Sequence, residues 1–316
     1  MSNFIFSLNT TIPIFLVILI GWILKQRGMF NDNFISVINK YVFTIALPVL
    51  LFKDIATNPV NEMFDPKFVA FCMIGTSVMF MGVWALASIF LKDKTMVGAF
   101  TQAAARGSAA VLGIAFVENI YGNSGMTPLM IISAVPLYNI YSVIILTVCA
   151  NDGRSKNMKE TVKNALINIA KNPIIWGVLS GIPFSVWGIT LPAMASKTIS
   201  TIAQTATPMA LLAVGAGFEG RKAIQKIKPT MIATFIKLVA LPAIYFPFAV
   251  GMGFRGSALV AILIMVGSPT TVTCYIMAKN MGNDEVLSSS IIVAATLLSS
   301  VSLTLWVFLL RSMGLI

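Results

Sequence analysis

Two stretches of this chain, 105–123 (ARGSAAVLGIAFVENIYGN) and 265–283 (MVGSPTTVTCYIMAKNMGN), lie inside apolar runs of membrane-spanning length. Both carry residues that such runs usually avoid. Gly107-Ser108 matches Gly267-Ser268, and Gly122-Asn123 matches Gly282-Asn283, all at an offset of 160 residues. The first stretch holds Arg106; the second holds Pro269 followed by Thr270, Thr271 and Thr273. A helix rich in Gly, Pro and hydroxyls cannot keep every backbone hydrogen bond, and hydrocarbon offers no replacement partner. Backbone freed at that depth is tolerated only inside protein or beside a watery cavity, where transporters place their sites. The two stretches therefore read as the halves of a substrate site.

The surrounding chain fits that setting. Of its 316 residues 57% are hydrophobic and only 10% charged, which together with repeated apolar runs marks an all-α polytopic membrane protein. The formal charge of +11 sits in loops between spans, so no nucleic-acid partner is expected. There is no histidine, and Cys72, Cys149 and Cys274 lack metal-ligand spacing and read as packing residues. No metal and no cofactor is expected. An enzyme would need a nucleophile with its base, paired carboxylates or metal ligands, and the chain offers none, so it reads as a non-enzyme.

The first 28 residues read as a retained first span, because the positive charges follow the apolar run instead of preceding it. Further spans are expected near 33–55, 67–91, 95–120, 126–149, 173–189, 196–218, 229–250, 256–280 and 286–310. Lys and Arg gather at 25–27, 92–94, 154–171, 221–228 and 279, whereas the alternate loops hold only Lys53, Lys67, Lys197 and Arg255. The first set is thereby cytoplasmic, with both termini outside the cell membrane. The offset of 160 recurs elsewhere: Pro13-Ile14 and Gly21 match Pro173-Ile174 and Gly181, and Ala46, Pro48 and Leu51 match Ala206, Pro208 and Leu211. Each copy has five spans, an odd number, so the second inserts upside down. The organisation expected is a 5+5 inverted repeat of ten transmembrane helices: residues 1–150, a linker 151–172, and residues 173–316. Pro48 and Pro208 should act as symmetric kinks or hinges. In the linker, Met158, Val162, Leu166 and Ile169 recur at helical spacing among lysines, which suggests a short amphipathic helix on the inner leaflet, with membrane lipids as its partner.

Three features could carry chemistry. Arg106 lies about 11 residues into its run, which at roughly 1.5 Å per residue is near the bilayer centre. It either binds an anion or locks carbonyls freed by the opposite broken helix. No Asp or Glu lies at that depth, Asp54 being at a span end, and Lys237 is close enough to the inner face to snorkel. The second feature is Ser268 to Thr273, where each hydroxyl is either a ligand or a packing group. The third is Asn139, in Pro136-Leu137-Tyr138-Asn139, which either cross-links helices or contacts substrate.

These motifs bring the chain to a family. It resembles the auxin efflux carrier family, whose bacterial members include malate or malonate permeases, over essentially its whole length. RGSAAVLGIAFVENIYG, VPLYN and SPTTVTCYIMAKNMG are the most specific pieces. The resemblance implies a transport domain in which the fourth and ninth helices cross, beside a scaffold of the first, second, sixth and seventh, with an elevator-like movement. In plant members a Pro stands where this chain has Ala115, another where it has Cys274, and a carboxylate-contacting Asn where it has Ser108. The helix breaks here must therefore rest on Gly107, Gly113 and Pro269. The expected function is secondary transport of a small organic anion, a carboxylate by preference, at Arg106, Ser108, Asn139, Ser268, Thr270, Thr271 and Thr273. A receptor that binds such an anion without moving it is the alternative, and a homodimer is an open form of assembly.

Overall fold

The computed structural model describes residues 2–57, 65–150, 167 and 170–316, with the backbone alone for 2–11, 110 and 111. Most of the linker helix expected over 151–172 therefore lies outside the described residues. Polar residues start the helices. Asn31 accepts from the Phe34 amide at 2.8 Å, and Asp65 accepts from Lys67 and Phe68 at 2.9 and 3.1 Å. Asn172 and Asp284 cap two more, at 2.9 Å each to Ile174 and Leu287. Pro66 and Pro173 follow their caps directly, at a position where the missing amide costs nothing.

The helices run in order α1 Ser2–Gln26, α2 Asp32–Ala56, α3 Pro66–Phe90, α4 Val97–Ala105, α5 Ala109–Tyr121 and α6 Thr127–Cys149. They continue with α7 Pro173–Trp187, α8 Ala193–Ala216, α9 Ile227–Gly251, α10 Ser257–Gly267, α11 Thr273–Asn280 and α12 Glu285–Ser312. A short helix, Gly220–Gln225, lies between α8 and α9. Among the described residues six, α2, α3, α6, α8, α9 and α12, are long and apolar enough to cross a membrane. Ile74, Trp176, Phe248 and Phe308 are among the large apolar side chains left exposed, as befits surfaces that meet lipid. The ion pairs Lys25–Asp32, Lys222–Glu219 and Lys226–Asp284 sit at helix ends. Among the described residues the fold is all-helical, a multi-pass membrane architecture.

Glycine lets neighbouring backbones touch. A Cβ at Gly215 would stand 1.9 Å from the Ile18 carbonyl oxygen, and one at Gly177 2.5 Å from that of Pro48. These contacts seat α1 against α8 and α2 against α7, the close approach that small residues permit between membrane helices. The matched prolines do not behave alike. Pro48 follows a π-helical turn, Val42–Ala46, whose wider ladder absorbs the lost donor, whereas Pro208 lies within continuous α-helix. A second π turn, Ile236–Ala240, precedes Pro242 in α9.

Candidate functional site

Helix α4 ends at Ala105 and α5 begins at Ala109; α10 ends at Gly267 and α11 begins at Thr273. The non-helical segments between them pair with each other. The Ser108 amide donates to the Pro269 carbonyl at 3.0 Å, and Gly107 and Thr270 form an isolated antiparallel bridge. A short piece of β pairing thus supplies partners for backbone that neither helix can satisfy. Gly107 is required by space: a Cβ there would come 2.3 Å from Ser268 Oγ and 2.9 Å from Lys237 Nζ.

The carbonyls left over at the two helix ends are claimed by side chains. Thr270 Oγ1 donates to Ala103 at 2.7 Å, and the Tyr138 hydroxyl donates to Met265 at 2.8 Å. Lys237 Nζ donates to Ala105 at 2.9 Å and reaches Met265 at 3.5 Å. Lys237 is wholly buried, so the expected snorkelling does not occur. Its position in the π turn of α9 points it into the break, where two helix C-termini offer it acceptors.

Arg106 is buried as well, 4% exposed. Nη2 donates to Asn139 Oδ1 at 2.7 Å and Nη1 to Met277 Sδ at 3.0 Å, while Asn139 donates its own amide to Val135 at 2.9 Å. Both of these Arg106 partners are neutral, and none of the ion pairs among the described residues involves it. Arg106 lines a cavity of about 50 Å³, together with Ser108, Ala109, Thr271 and Thr273 from the paired breaks. Leu47, Leu51 and Asp54 of α2, Thr207 of α8 and Tyr138 of α6 close it from the other side. The first residues of α5 and α11 both border this space, so two helix N-termini meet there with the arginine.

Of the residues singled out from sequence, Arg106, Ser108, Thr271 and Thr273 share the cavity. Asn139, Ser268 and Thr270 lie behind it, fully or almost fully buried. Asn139 and Thr270 are engaged by Arg106, Val135 and Ala103, and Ser268 Oγ has no hydrogen-bond partner among the described residues. Pro269 belongs to the break; Gly113 and Ala115 do not, because α5 runs unbroken through them. Gly113 answers instead to packing, since a Cβ there would meet Thr127 Cγ2 at 2.7 Å. Cys274 sits buried in the first turn of α11, its sulfur 3.9 Å from the Gln102 carbonyl. Sequence reasoning missed Lys237, Tyr138, Thr207 and Asp54. Asp54 lies at the end of α2, as its span-end reading has it, and also borders the same cavity as Arg106. Among the described residues no group of His, Cys, Asp and Glu could hold a metal.

The sequence model of a family described as "Membrane transport protein" matches residues 6–307. The chain belongs to this family, that of the auxin efflux carriers. Members similar to it include an "Uncharacterized transporter YfdV" of Escherichia coli (strain K12), 25% identical over 313 residues, covering 97% of this chain and 98% of the relative. A "Putative malonate transporter" of Rhizobium meliloti (strain 1021) is 24% identical over 306 residues, 95% of each chain. A "Probable auxin efflux carrier component 5c" of Oryza sativa subsp. japonica is 22% identical over 145 residues, 44% of this chain and 39% of the relative. Family members of this kind are transporters and not enzymes, and so is this chain.

Proposed function

We propose that this protein is a secondary transporter that moves a small organic anion, a carboxylate by preference, across the cell membrane by an elevator-like alternating-access movement. One observation carries the substrate class. A buried guanidinium whose bonded partners are neutral borders a cavity into which two helix N-termini open. A carboxylate satisfies all three at once, because arginine offers paired donors and helix N-termini favour negative charge. Ser108, Thr271 and Thr273 would complete its hydrogen bonds, with Asn139 orienting the arginine. The name of the Rhizobium relative makes malonate the first probe.

Two observations support a crossover within a ten-span inverted repeat, halves 1–150 and 173–316. Helix bounds recur at nearly one spacing, as in Pro66–Phe90 against Ile227–Gly251 and Thr127–Cys149 against Glu285–Ser312. Packing is exchanged between copies as well. A Cβ at Gly21 would lie 2.4 Å from the Leu212 carbonyl, and one at Gly181 3.0 Å from the carbonyl of Phe52, its counterpart. In this reading α1, α2, α7 and α8 form the scaffold, and the paired breaks ride on the moving part. With both termini outside, cysteines introduced at 158 and 224 would label only from the inner face, and those at 4 and 315 from the outer. Uptake of labelled malonate into proteoliposomes tests the function. Absence of flux, with no thermal shift for any mono- or dicarboxylate, would sink it.

A further inference from the structure

The far side of the same break holds a second charge that anion binding leaves without a role. Helices α4 and α10 both terminate there, so their last carbonyls converge in the protein interior. Each terminus carries a partial negative charge of roughly half an electron, and bringing two together away from water is unfavourable without a cation. In transporters with broken helices, this is where a coupling cation is held by half-helix C-termini. Here Lys237 Nζ stands at that spot, 2.9 Å from Ala105 O and 3.5 Å from Met265 O. Gly107 leaves it room, and Ser268 Oγ is buried beside the same glycine with no hydrogen-bond partner among the described residues.

We propose that the Lys237 ammonium is a tethered cation that takes the place of a bound alkali ion at the paired helix ends. The protein then needs no sodium or potassium at this point to keep the break closed on its C-terminal side. It follows also that removing the side chain should create a cation requirement that the natural protein lacks. The meaning of this for transport rests on the crossover reading above; the charge argument itself does not.

The test is a melting series on purified full-length protein in sodium, potassium or choline chloride at equal ionic strength. The natural protein should melt at one temperature in all three. Lys237→Met, which keeps the stem and removes the charge, should melt about 5 °C or more lower in each. Lys237→Ala should be least stable in choline and regain stability with sodium or with methylammonium, whose ammonium fits the space, but not with the bulkier tetramethylammonium. A sodium-dependent melting temperature in the natural protein would overturn the proposal even if neither variant folds. So would a Lys237→Met protein as stable as the original, or a folded Lys237→Ala protein indifferent to every cation. Failure of the anion reading would show differently, as a natural protein whose melting ignores carboxylates while these cation results stand.

Discussion

The two faces of the paired breaks are built from the same chain segments and carry opposite electrostatics. On one, the N-termini of α5 and α11 border a cavity with Arg106, and the guanidinium's bonded partners, Asn139 and Met277, are uncharged. On the other, the C-termini of α4 and α10 meet, and a single buried lysine engages their carbonyls directly. Both cations are buried, yet one sits where helix dipoles attract an anion and the other where they attract the cation itself. In the proposed reading the same residue class serves ligand binding on one face and structure on the other. Depth in the membrane does not separate these roles; the direction of the helix ends does.

That contrast can be broken by substitution, most severely at Lys237. Lys237→Glu would place a third negative group against two helix C-termini, and the expected result is loss of monodisperse protein in a size-exclusion profile. A well-folded Lys237→Glu protein would erase the distinction between the faces. Arg106→Gln should instead fold and lose carboxylate binding. Removing a charged hydrogen bond costs about 1.5–3 kcal/mol, roughly 10- to 150-fold in affinity, with Arg106→Lys falling between because lysine cannot donate in parallel. Thermal shift against malonate reads this directly, and wild-type affinity in folded Arg106→Gln would remove the arginine from the site.

Threonine substitutions sharpen the boundary between cavity and wall. Thr270→Val removes the bond to Ala103 and should cost about 1 kcal/mol of stability with affinity unchanged, whereas Thr271→Val should weaken binding with little change in melting temperature. The reverse pattern would redraw the cavity. The smallest effect belongs to Ser268→Ala. Its hydroxyl has no hydrogen-bond partner among the described residues, so both stability and affinity should stay within about 0.5 kcal/mol of the original.

Much of this was legible in the residues themselves. Apolar length identified the long helices, and the expected span at 67–91 lies within a residue of Pro66–Phe90 at either end, because desolvating a backbone leaves few alternatives to helix. Gly107 and Pro269 marked the breaks, since the cost of Gly and Pro in a helix is local. Gly113 was misread because glycine also serves close packing, and only the neighbour at Thr127 distinguishes the two uses. Lys237 lies as deep in α9 as Arg106 does beyond the start of α4, so its burial could have been found by counting residues.

Sequence by itself determined that this chain is a helical membrane protein with interrupted helices and one charged residue beside the first interruption. These properties follow from hydrophobic length and local backbone preference, which act over a few turns. Only the tertiary structure decided what each polar group does. It seated Thr270 on Ala103 and Asn139 on Arg106, and it turned Asp54 and Thr207 towards a common cavity. It also turned Lys237 inward through a π turn, onto the Ala105 carbonyl, more than a hundred residues earlier in the chain. A buried hydroxyl, amide or ammonium bonds whatever unsatisfied group lies within about 3 Å, and which group that is depends on how distant helices pack.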